Sequence, residues 1–186
     1  MRCFWVNLNN PLYVEYHDKE WGVPLHDDDK LFELLILECF QAGLSWECVL
    51  NKRAAFREAF DNFDIGKVAE YQSERIDSLI HFPGIIRNRL KIKAAVKNAK
   101  AYLAIQQEYG SFDNYIKSFT NSKIKYEPCD RHTTSALSDA VSKDLKKRGM
   151  SFVGSTVIYS FLQACGVING HSDECFLSPS KQQELK

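Results

Sequence analysis

The sequence predicts an all-helical fold. Between residues 89 and 108 apolar side chains return every three or four positions, among them Ile92 and Val96, which is the spacing of one helix face. Gly110 follows directly and is a typical helix stop. No alternating pattern of apolar and polar residues is long enough to predict a useful strand. The core should therefore lie between helices.

Helix starts can be placed along the chain. Asp27, Asp28 and Asp29 supply an N-cap and favourable charges before an apolar run at 31–37. That run is apolar on nearly every side, which predicts a buried helix.

Residues 121–134 are expected to form a loop. Further helices are expected over 47–60, 65–71, 74–80, 89–108, 112–119, 138–148 and 156–165.

Length and composition indicate a soluble protein. The 186 residues suit one domain, or two small helical lobes that share a cleft, and 45% are apolar. No apolar run approaches the length of a membrane span, and the first residues lack a secretory pattern, so a cytoplasmic location is expected. The six cysteines are scattered, which favours reduced thiols or metal ligands over disulfides.

The charge pattern is balanced overall and uneven locally. Lys and Arg number 24, as do Asp and Glu, which argues against strong attraction of the whole protein to a polyanion. Six basic residues with no acid between them occupy positions 87–100, and a second basic cluster occupies 143–148. The ordinary interpretation of either cluster alone is a solvated helix face.

One acid follows directly on the most apolar helix. Glu38 should be at least partly desolvated there, which is costly unless it is paired, and a bond to a helix end or an arginine is one interpretation. Aromatic residues lie close by in sequence, in the turn 41–46 and upstream at Tyr13, Tyr16 and Trp21. A carboxylate ringed by aromatic side chains could hold a flat, electron-poor ring, whereas plain core packing is the ordinary role of such side chains.

Short motifs in order over roughly residues 3–175 carry a resemblance to a known family. They are Pro11-Leu12-Tyr13, Tyr16-His17-Asp18, Glu20-Trp21-Gly22-Val23-Pro24, Leu37-Glu38, Gln41-Ala42-Gly43-Leu44-Ser45-Trp46, Gly84-Ile85-Ile86-Arg87, Leu145-Lys146-Lys147-Arg148-Gly149, Phe152-Val153-Gly154 and Gln163-Ala164-Cys165-Gly166. On these motifs the chain resembles the 3-methyladenine DNA glycosylase I family, one of the helix–hairpin–helix DNA glycosylases. The least similar stretches are about 105–132 and the tail after 176.

The resemblance implies an architecture for the whole chain. It implies a single glycosylase domain over 1–186, with two helical lobes around a base-binding cleft. One lobe would consist of about 1–45 plus 150–178, and the other of about 46–149. Residues 179–186 would form a frayed tail, and the chain ends would be joined by a zinc site.

The resemblance also implies an activity. Members of this family flip a damaged nucleotide out of double-stranded DNA and hydrolyse the bond to 3-methyladenine. By similarity Glu38 is the catalytic, polar floor of the pocket. Tyr16 and Trp46 would stack on the base, and Tyr13 and Trp21 would line the wall.

DNA-binding residues are implied in two places. Leu44, at the tip of a turn, would fill the gap that the flipped base leaves in the duplex. A hairpin bounded by Gly149 and Gly154, with the helix start at Ser155 and Thr156, would direct N–H groups at a DNA phosphate. On its residues alone this hairpin could equally be an ordinary connection between two helices.

A metal site is implied at the chain ends. Its ligands would be two cysteines and two histidines, namely Cys3, His17, His171 and Cys175. The spacing of the last two residues is a weak signal by itself, and it is the match to the family's zinc site that selects the set. Four protein ligands fill a tetrahedral shell, so one zinc ion would be structural.

The chemistry and its alternatives complete the expectations. Methylation at N3 weakens the glycosidic bond, and no lysine is placed to form a Schiff base, which predicts a monofunctional enzyme without lyase activity. The enzyme is expected to act as a monomer on alkylated DNA. Asp173 lies near the spacing of a catalytic aspartate in related glycosylases, but it falls inside the metal-binding segment. A non-catalytic module that binds DNA lesions, with structural zinc, is the main alternative, and a zinc hydrolase is a weaker one.

Overall fold

The computed structural model describes residues 1–184 and is mainly helical, as the sequence predicts. Its elements are α1 (Pro11–Lys19), α2 (Asp28–Gln41), α3 (Trp46–Leu50), α4 (Arg53–Ala59), a 3₁₀ turn (Asp61–Phe63), α5 (Ile65–Ala69), α6 (Ser73–His81), α7 (Arg89–Tyr109), α8 (Phe112–Thr120), β1 (Lys125–Tyr126), α9 (Ala136–Lys147), α10 (Ser155–Ala164), β2 (Ile168–Asn169) and α11 (Pro179–Glu184).

Helix α2 forms the centre of the core. The Asp27 side chain accepts hydrogen bonds from the main-chain N–H groups of Asp29 and Lys30, both at 3.1 Å, and so caps the helix. Every residue from Leu31 to Phe40 is buried. Helices α3, α7 and α10 pack around it, which explains why its sequence is apolar on all sides. This packing also places the end of α2 deep in the protein.

Helix α7 carries the first basic cluster, and the cluster is not a uniform solvated face. Lys93, Lys97 and Lys100 are exposed and lie three or four residues apart, as a solvated face requires. Lys91, in contrast, is only 7% exposed. The spacing of the lysines along the helix places this one on the inward side, where it bonds to the end of α2.

Several helix boundaries differ from the sequence prediction, among them the end of α2, which continues through Glu38 to Gln41, and two of the differences have a clear structural cause. The helix expected over 47–60 is divided into α3 and α4 at Asn51, whose side-chain oxygen accepts a hydrogen bond of 3.0 Å from Asn10 at the start of α1. Ser155, expected to cap the last core helix, is instead its first residue, and Gly154 occupies the N-cap position. Both differences depend on contacts distant in sequence, or on the backbone of the preceding loop.

The expected loop at 121–134 contains a short strand. β1 pairs in parallel with β2, with Lys125 opposite Ile168 and Tyr126 opposite Asn169. The pairing continues beyond the strands, since the Cys129 N–H donates to the Gly170 carbonyl at 2.8 Å. We call residues 125–133 the strap. Its sequence shows no strand pattern, because the main-chain hydrogen bonds that hold it do not depend on side-chain type.

The end of the chain also departs from expectation. The tail expected to be frayed is helical over Pro179–Glu184, and the expectation for residues 185 and 186 lies outside the described residues. Within residues 1–184, no helix combines the length and the apolar character that crossing a membrane requires.

Candidate active site

A cavity of about 280 Å³ opens between α1, the α2–α3 region, α10 and the strap. Glu38 lines it together with the four aromatic residues singled out in the sequence, Tyr13, Tyr16, Trp21 and Trp46. All five are buried. The fold therefore brings these residues to one place, although they come from three separate segments of the chain.

Glu38 lies in the last turn of α2 and is 3% exposed. Its Oε2 atom is buried and has no hydrogen-bond partner among the described residues. Burial raises the pKa of this carboxyl group to about 8, so the group holds its proton at neutral pH. No arginine or lysine of residues 1–184 lines the cavity, which does not fit the interpretation of Glu38 as half of an ion pair.

Aromatic rings form most of the cavity wall. The rings of Tyr16 and Trp46 have centroids 5.2 Å apart and are tilted by 43°. Trp5 contacts Trp21 edge to face at 4.8 Å and Tyr13 at 5.2 Å. Burial raises the pKa of Tyr13 to about 12 and that of Tyr16 well above its ordinary value, so both phenols are neutral. The wall can therefore stack on a flat ring without carrying charge.

Sequence reasoning missed about half of the lining. Trp5 lay outside the motifs that suggested a site, although all three tryptophans of the chain line the cavity. Helix α10 was predicted only as a helix whose start would bind DNA, and the strap as part of a loop. The four-residue spacing of Tyr159 and Gln163 on an otherwise apolar helix is a signal that could have found them. The other lining residues not anticipated are Gln41, Cys129, His132, Thr133 and Ser160.

The turn after α2 forms the rim of the site. Gly43 has a φ of +82°, a conformation that glycine adopts without strain. Leu44 follows at the tip and is 43% exposed. Both residues, with Thr156 of α10, line a smaller adjoining cavity of about 190 Å³ that also reaches Glu38. The exposed leucine therefore lies beside the entrance rather than in the core.

A buried lysine holds this turn. The Lys91 ammonium group donates hydrogen bonds to the main-chain carbonyls of Phe40 at 2.7 Å and Ala42 at 2.6 Å. These carbonyls lie at the end of α2, where the helix dipole favours a cation. Desolvation lowers the pKa of Lys91 from its ordinary value. Its role in the structure is to satisfy helix-end carbonyls, and Lys91 itself lines neither cavity.

The loop between α9 and α10 is the predicted hairpin. Gly149 has a φ of +94° and Phe152 a φ of +58°, so the chain turns sharply twice. Buried Asn98 of α7 bonds to both main-chain groups of Ser151, at 2.8 and 2.9 Å. The Ser142 hydroxyl donates to the Val153 carbonyl at 2.6 Å. Side chains outside the loop therefore determine its shape.

At the start of α10 the space around Gly154 is open, whereas the Ser155 hydroxyl is already hydrogen-bonded. A side chain built on Gly154 would meet no atom of the described chain within 4 Å. The Ser155 hydroxyl, in contrast, donates to Asp139 at 2.5 Å and lies 2.8 Å from the Ser138 hydroxyl. Thr156 is exposed and lines the cavity. No described side chain caps the N–H groups at this helix start.

Four potential metal ligands meet near the chain ends. One ligand atom from each lies within 4.8 Å of all the others, and all four residues are buried. The second nitrogen of each imidazole is already engaged: Nδ1 of His17 lies 2.8 Å from Asp18, and Nε2 of His171 lies 3.2 Å from the Trp21 carbonyl. This arrangement orients the remaining nitrogens towards the cysteines, as metal ligands require. The group Cys3, His17, His171 and Cys175 could hold a metal ion.

Asp173 lies away from the cavity lining. Its carboxylate accepts hydrogen bonds from the Tyr126 hydroxyl at 2.7 Å and from Arg131. Both partners belong to the strap, so Asp173 fastens the strap to the segment that carries His171. These contacts give the residue a structural role.

Comparison with known proteins defines the class of this chain. The family model described as methyladenine glycosylase matches residues 5–178. DNA-3-methyladenine glycosylase 1 of Escherichia coli is 46% identical over 185 residues, with 97% of this chain and 98% of the relative covered. The chain therefore belongs to the methyladenine glycosylase family.

Solved structures agree with this assignment. A crystal structure of 3-methyladenine DNA glycosylase I superposes with a TM-score of 0.91 at 46% identity, covering 96% of this chain and 100% of the other. A structure of the Staphylococcus aureus enzyme, described as the basis of its 3-methyladenine recognition, superposes with a TM-score of 0.86 at 43% identity, covering 92% of both chains.

Proposed function

We propose that this protein is a monofunctional DNA glycosylase that excises 3-methyladenine from alkylated double-stranded DNA. The observation that carries the proposal is the buried Glu38 carboxyl group, which has an unpartnered oxygen and lies in a cavity walled by aromatic rings. Family membership supports the same activity. A flipped base would enter this cavity and leave the duplex stack.

The protonation of Glu38 explains a preference for adenine. A neutral carboxylic acid offers one O–H donor and one carbonyl acceptor side by side. Adenine presents the matching pair on one edge, an acceptor at N7 and an amino donor at N6. Guanine presents two acceptors there, N7 and O6, and one of them would face the carbonyl oxygen of the acid. The protonated acid would therefore pair better with adenine than with guanine.

The aromatic wall favours the alkylated base. Methylation at N3 makes the base cationic while it is attached to the sugar, and the faces of Tyr16 and Trp46 attract a cation. The same charge weakens the glycosidic bond, so the protein mainly has to select and orient the nucleotide. Water is the nucleophile. No lysine of the described chain lines either of the two connected cavities, which supports hydrolysis without lyase activity.

DNA binding is proposed for the rim and the hairpin. Leu44 would enter the duplex where the base has left, and the N–H groups at the start of α10, from Gly154 to Thr156, would bind a phosphate. Gly149 would shape the hairpin, since its own N–H donates to the Lys146 carbonyl. Lys97 supports this surface, since its ammonium group lies 3.4 Å from the Ser151 hydroxyl. The architecture is then helix–hairpin–helix, with lobes at about 1–45 plus 150–178 and about 46–149, acting as a monomer in the cytoplasm.

A structural zinc ion is proposed for the Cys/His group. Two thiolates and two imidazoles suit zinc, and four protein ligands leave no position for a water molecule. When bound, the ion would supply a cross-link between the chain ends, because its ligands lie near both. This closed shell argues against the alternative of a zinc hydrolase.

Base release from methylated DNA tests the proposed function. Wild-type protein should free 3-methyladenine, and Glu38→Ala should reduce the rate at least about 100-fold because it leaves the base edge unpaired. Glu38→Gln, which keeps a donor and an acceptor, should retain more activity. Glu58→Ala, which removes an exposed acid from α4, is the matched control. Binding of alkylated DNA without any released base would favour the lesion-binding module instead.

A further inference from the structure

Unpartnered polar atoms concentrate around the cavity. Within residues 1–184, the buried side-chain atoms without a hydrogen bond of normal geometry are Glu38 Oε2, Trp46 Nε1, Glu127 Oε2, Tyr159 OH and Gln163 Nε2. All but Glu127 belong to residues that line the cavity. Folded proteins leave few buried polar groups unpaired because each one costs free energy. Their concentration at one cavity indicates that a ligand pairs with them.

These atoms come from two regions of the fold. Glu38 and Trp46 come from the α2–α3 region. Tyr159 and Gln163 come from α10, where a spacing of four residues places them on the same helix face. They are 2% and 7% exposed, so water does not reach them freely. The proposed function assigns roles to Glu38 and the aromatic rings, but none to Tyr159 and Gln163.

Glu127 is the charged residue that acts on the Tyr159 phenol. It belongs to the strap, and its main-chain N–H donates to the Asn169 carbonyl at 3.0 Å. Burial, and then the negative charge of Glu127, raise the pKa of the Tyr159 phenol above its ordinary value. Tyr159 therefore keeps its proton, and the Glu127 carboxylate, which can only accept, directs that proton towards itself and leaves the phenol oxygen as an acceptor.

Gln163 is held by close packing. A side chain added to Gly170 would approach the Gln163 amide nitrogen to 2.5 Å and the Trp21 ring to 2.9 Å. The main chain of Gly170 thus forms the wall behind the amide. Cys129 of the strap fixes this wall through its hydrogen bond to the Gly170 carbonyl. The amide has little room to move on the side of Gly170.

We propose that Tyr159 and Gln163 form a second polar contact surface for the base, which binds the edge that Glu38 leaves free, and that Glu127 is a positioning residue for the Tyr159 hydroxyl. The proposal rests on the proposed function. Adenine held at N6 and N7 leaves the ring nitrogen N1 as an acceptor. The Gln163 amide N–H is a suitable donor to it, and the Tyr159 oxygen, whose proton is directed to Glu127, can accept the second N6 hydrogen. Guanine has a hydrogen on N1 and an acceptor at O6, so the same two groups would oppose it.

Two readouts test this surface. Binding of free 3-methyladenine can be followed by tryptophan fluorescence, because all three tryptophans line the cavity. Release of 3-methyladenine and 3-methylguanine can be measured from one methylated duplex. Tyr159→Phe and Gln163→Met keep the volume and remove the polar atoms. Each should weaken 3-methyladenine binding about tenfold and reduce the preference for adenine over guanine.

Tyr102→Phe is the matched control. Tyr102 is also fully buried, and its hydroxyl donates to the Asp28 carbonyl at 2.8 Å, away from the cavity. This variant should lose thermal stability without a change in base affinity or preference. If Tyr159→Phe and Gln163→Met melt like the wild type and bind and discriminate bases within twofold of it, the second surface does not exist.

A double-mutant cycle tests the role of Glu127. Glu127→Gln should weaken base binding when Tyr159 is present and have no further effect in the Tyr159→Phe background. Equal effects in both backgrounds would overturn the positioning role. The outcomes remain separate from failure of the proposed function, which would appear as a wild-type protein that releases no 3-methyladenine at all.

Discussion

Asn98 holds Ser151 by both of its main-chain groups. The Asn98 amide donates to the Ser151 carbonyl at 2.9 Å and accepts from its N–H at 2.8 Å, and Asn98 is fully buried. A residue near the middle of α7 thus determines the shape of the loop proposed to bind DNA. The two features are 53 residues apart in sequence.

Replacing Asn98 should separate DNA binding from base binding. Asn98→Ala removes both hydrogen bonds and leaves buried main-chain groups unpaired, so the free energy of unfolding should fall by about 2–4 kcal/mol. Affinity for duplex DNA should fall, while affinity for free 3-methyladenine should stay the same, because Asn98 does not line the cavity. Fluorescence titrations with each ligand measure this. Asn114→Ala, in an exposed part of α8, is the control, and unchanged DNA affinity in Asn98→Ala would contradict the role of the hairpin.

The raised pKa of Glu38 should make stability depend on pH. Its pKa is about 8 in the folded protein and 4.5 ordinarily, so the folded state binds more protons between these values. The free energy of unfolding should therefore fall as the pH rises through this range, by at most roughly 5 kcal/mol. The contribution is fully present below pH 4.5 and is lost above pH 8. Chemical denaturation of the wild type and Glu38→Gln at several pH values measures the difference.

The same titration should affect base recognition. Affinity of the wild type for free 3-methyladenine should fall above pH 8, where the acid loses the O–H donor proposed for N7. Glu38→Gln cannot titrate, and its affinity should be flat over this range. A parallel pH dependence in both proteins would show that another group is responsible.

The metal ligands should govern folding rather than chemistry. Cys175→Ser should lower metal content and thermal stability together, because a structural metal contributes directly to folding. Asp18→Asn should weaken metal affinity about 10–100-fold by releasing the His17 ring. Metal analysis and thermal melting measure both effects, with Cys48→Ser, half-buried outside the group, as the control. A Cys175→Ser protein that melts like the wild type would argue against a structural metal.

Lys91 should matter for DNA and little for the free base. Lys91→Met leaves the carbonyls of Phe40 and Ala42 without their donor, which should lower the free energy of unfolding by about 1–3 kcal/mol and loosen the turn that carries Leu44. The kcat/KM for methylated duplex should fall more than the affinity for 3-methyladenine. Lys93→Met, two residues along and exposed, is the control. Equal losses in both assays would show that the lysine supports the cavity as well.

Local pattern was sufficient for most helices. The cap at Asp27 and the apolar run that follows define the start of α2, because capping acts over the first turn, whereas the helix continues past residue 37 through Glu38 to Gln41. The division between α3 and α4 could not be read in this way, since Asn51 is bonded to Asn10. The strand in the strap could not be predicted from local sequence either, because it is held by hydrogen bonds to residues more than forty positions later.

The sequence by itself determined the residue types and the local elements: a buried acid at the end of an apolar helix, aromatic residues around it, and cysteines and histidines near both chain ends. Only the tertiary structure decided that Trp5, Tyr159 and Gln163 share the cavity with Glu38, and that Lys91 faces inward. The physical reason is range. Helix formation depends on neighbours within about four residues, whereas a cavity is formed by packing and hydrogen bonds between segments far apart in the chain.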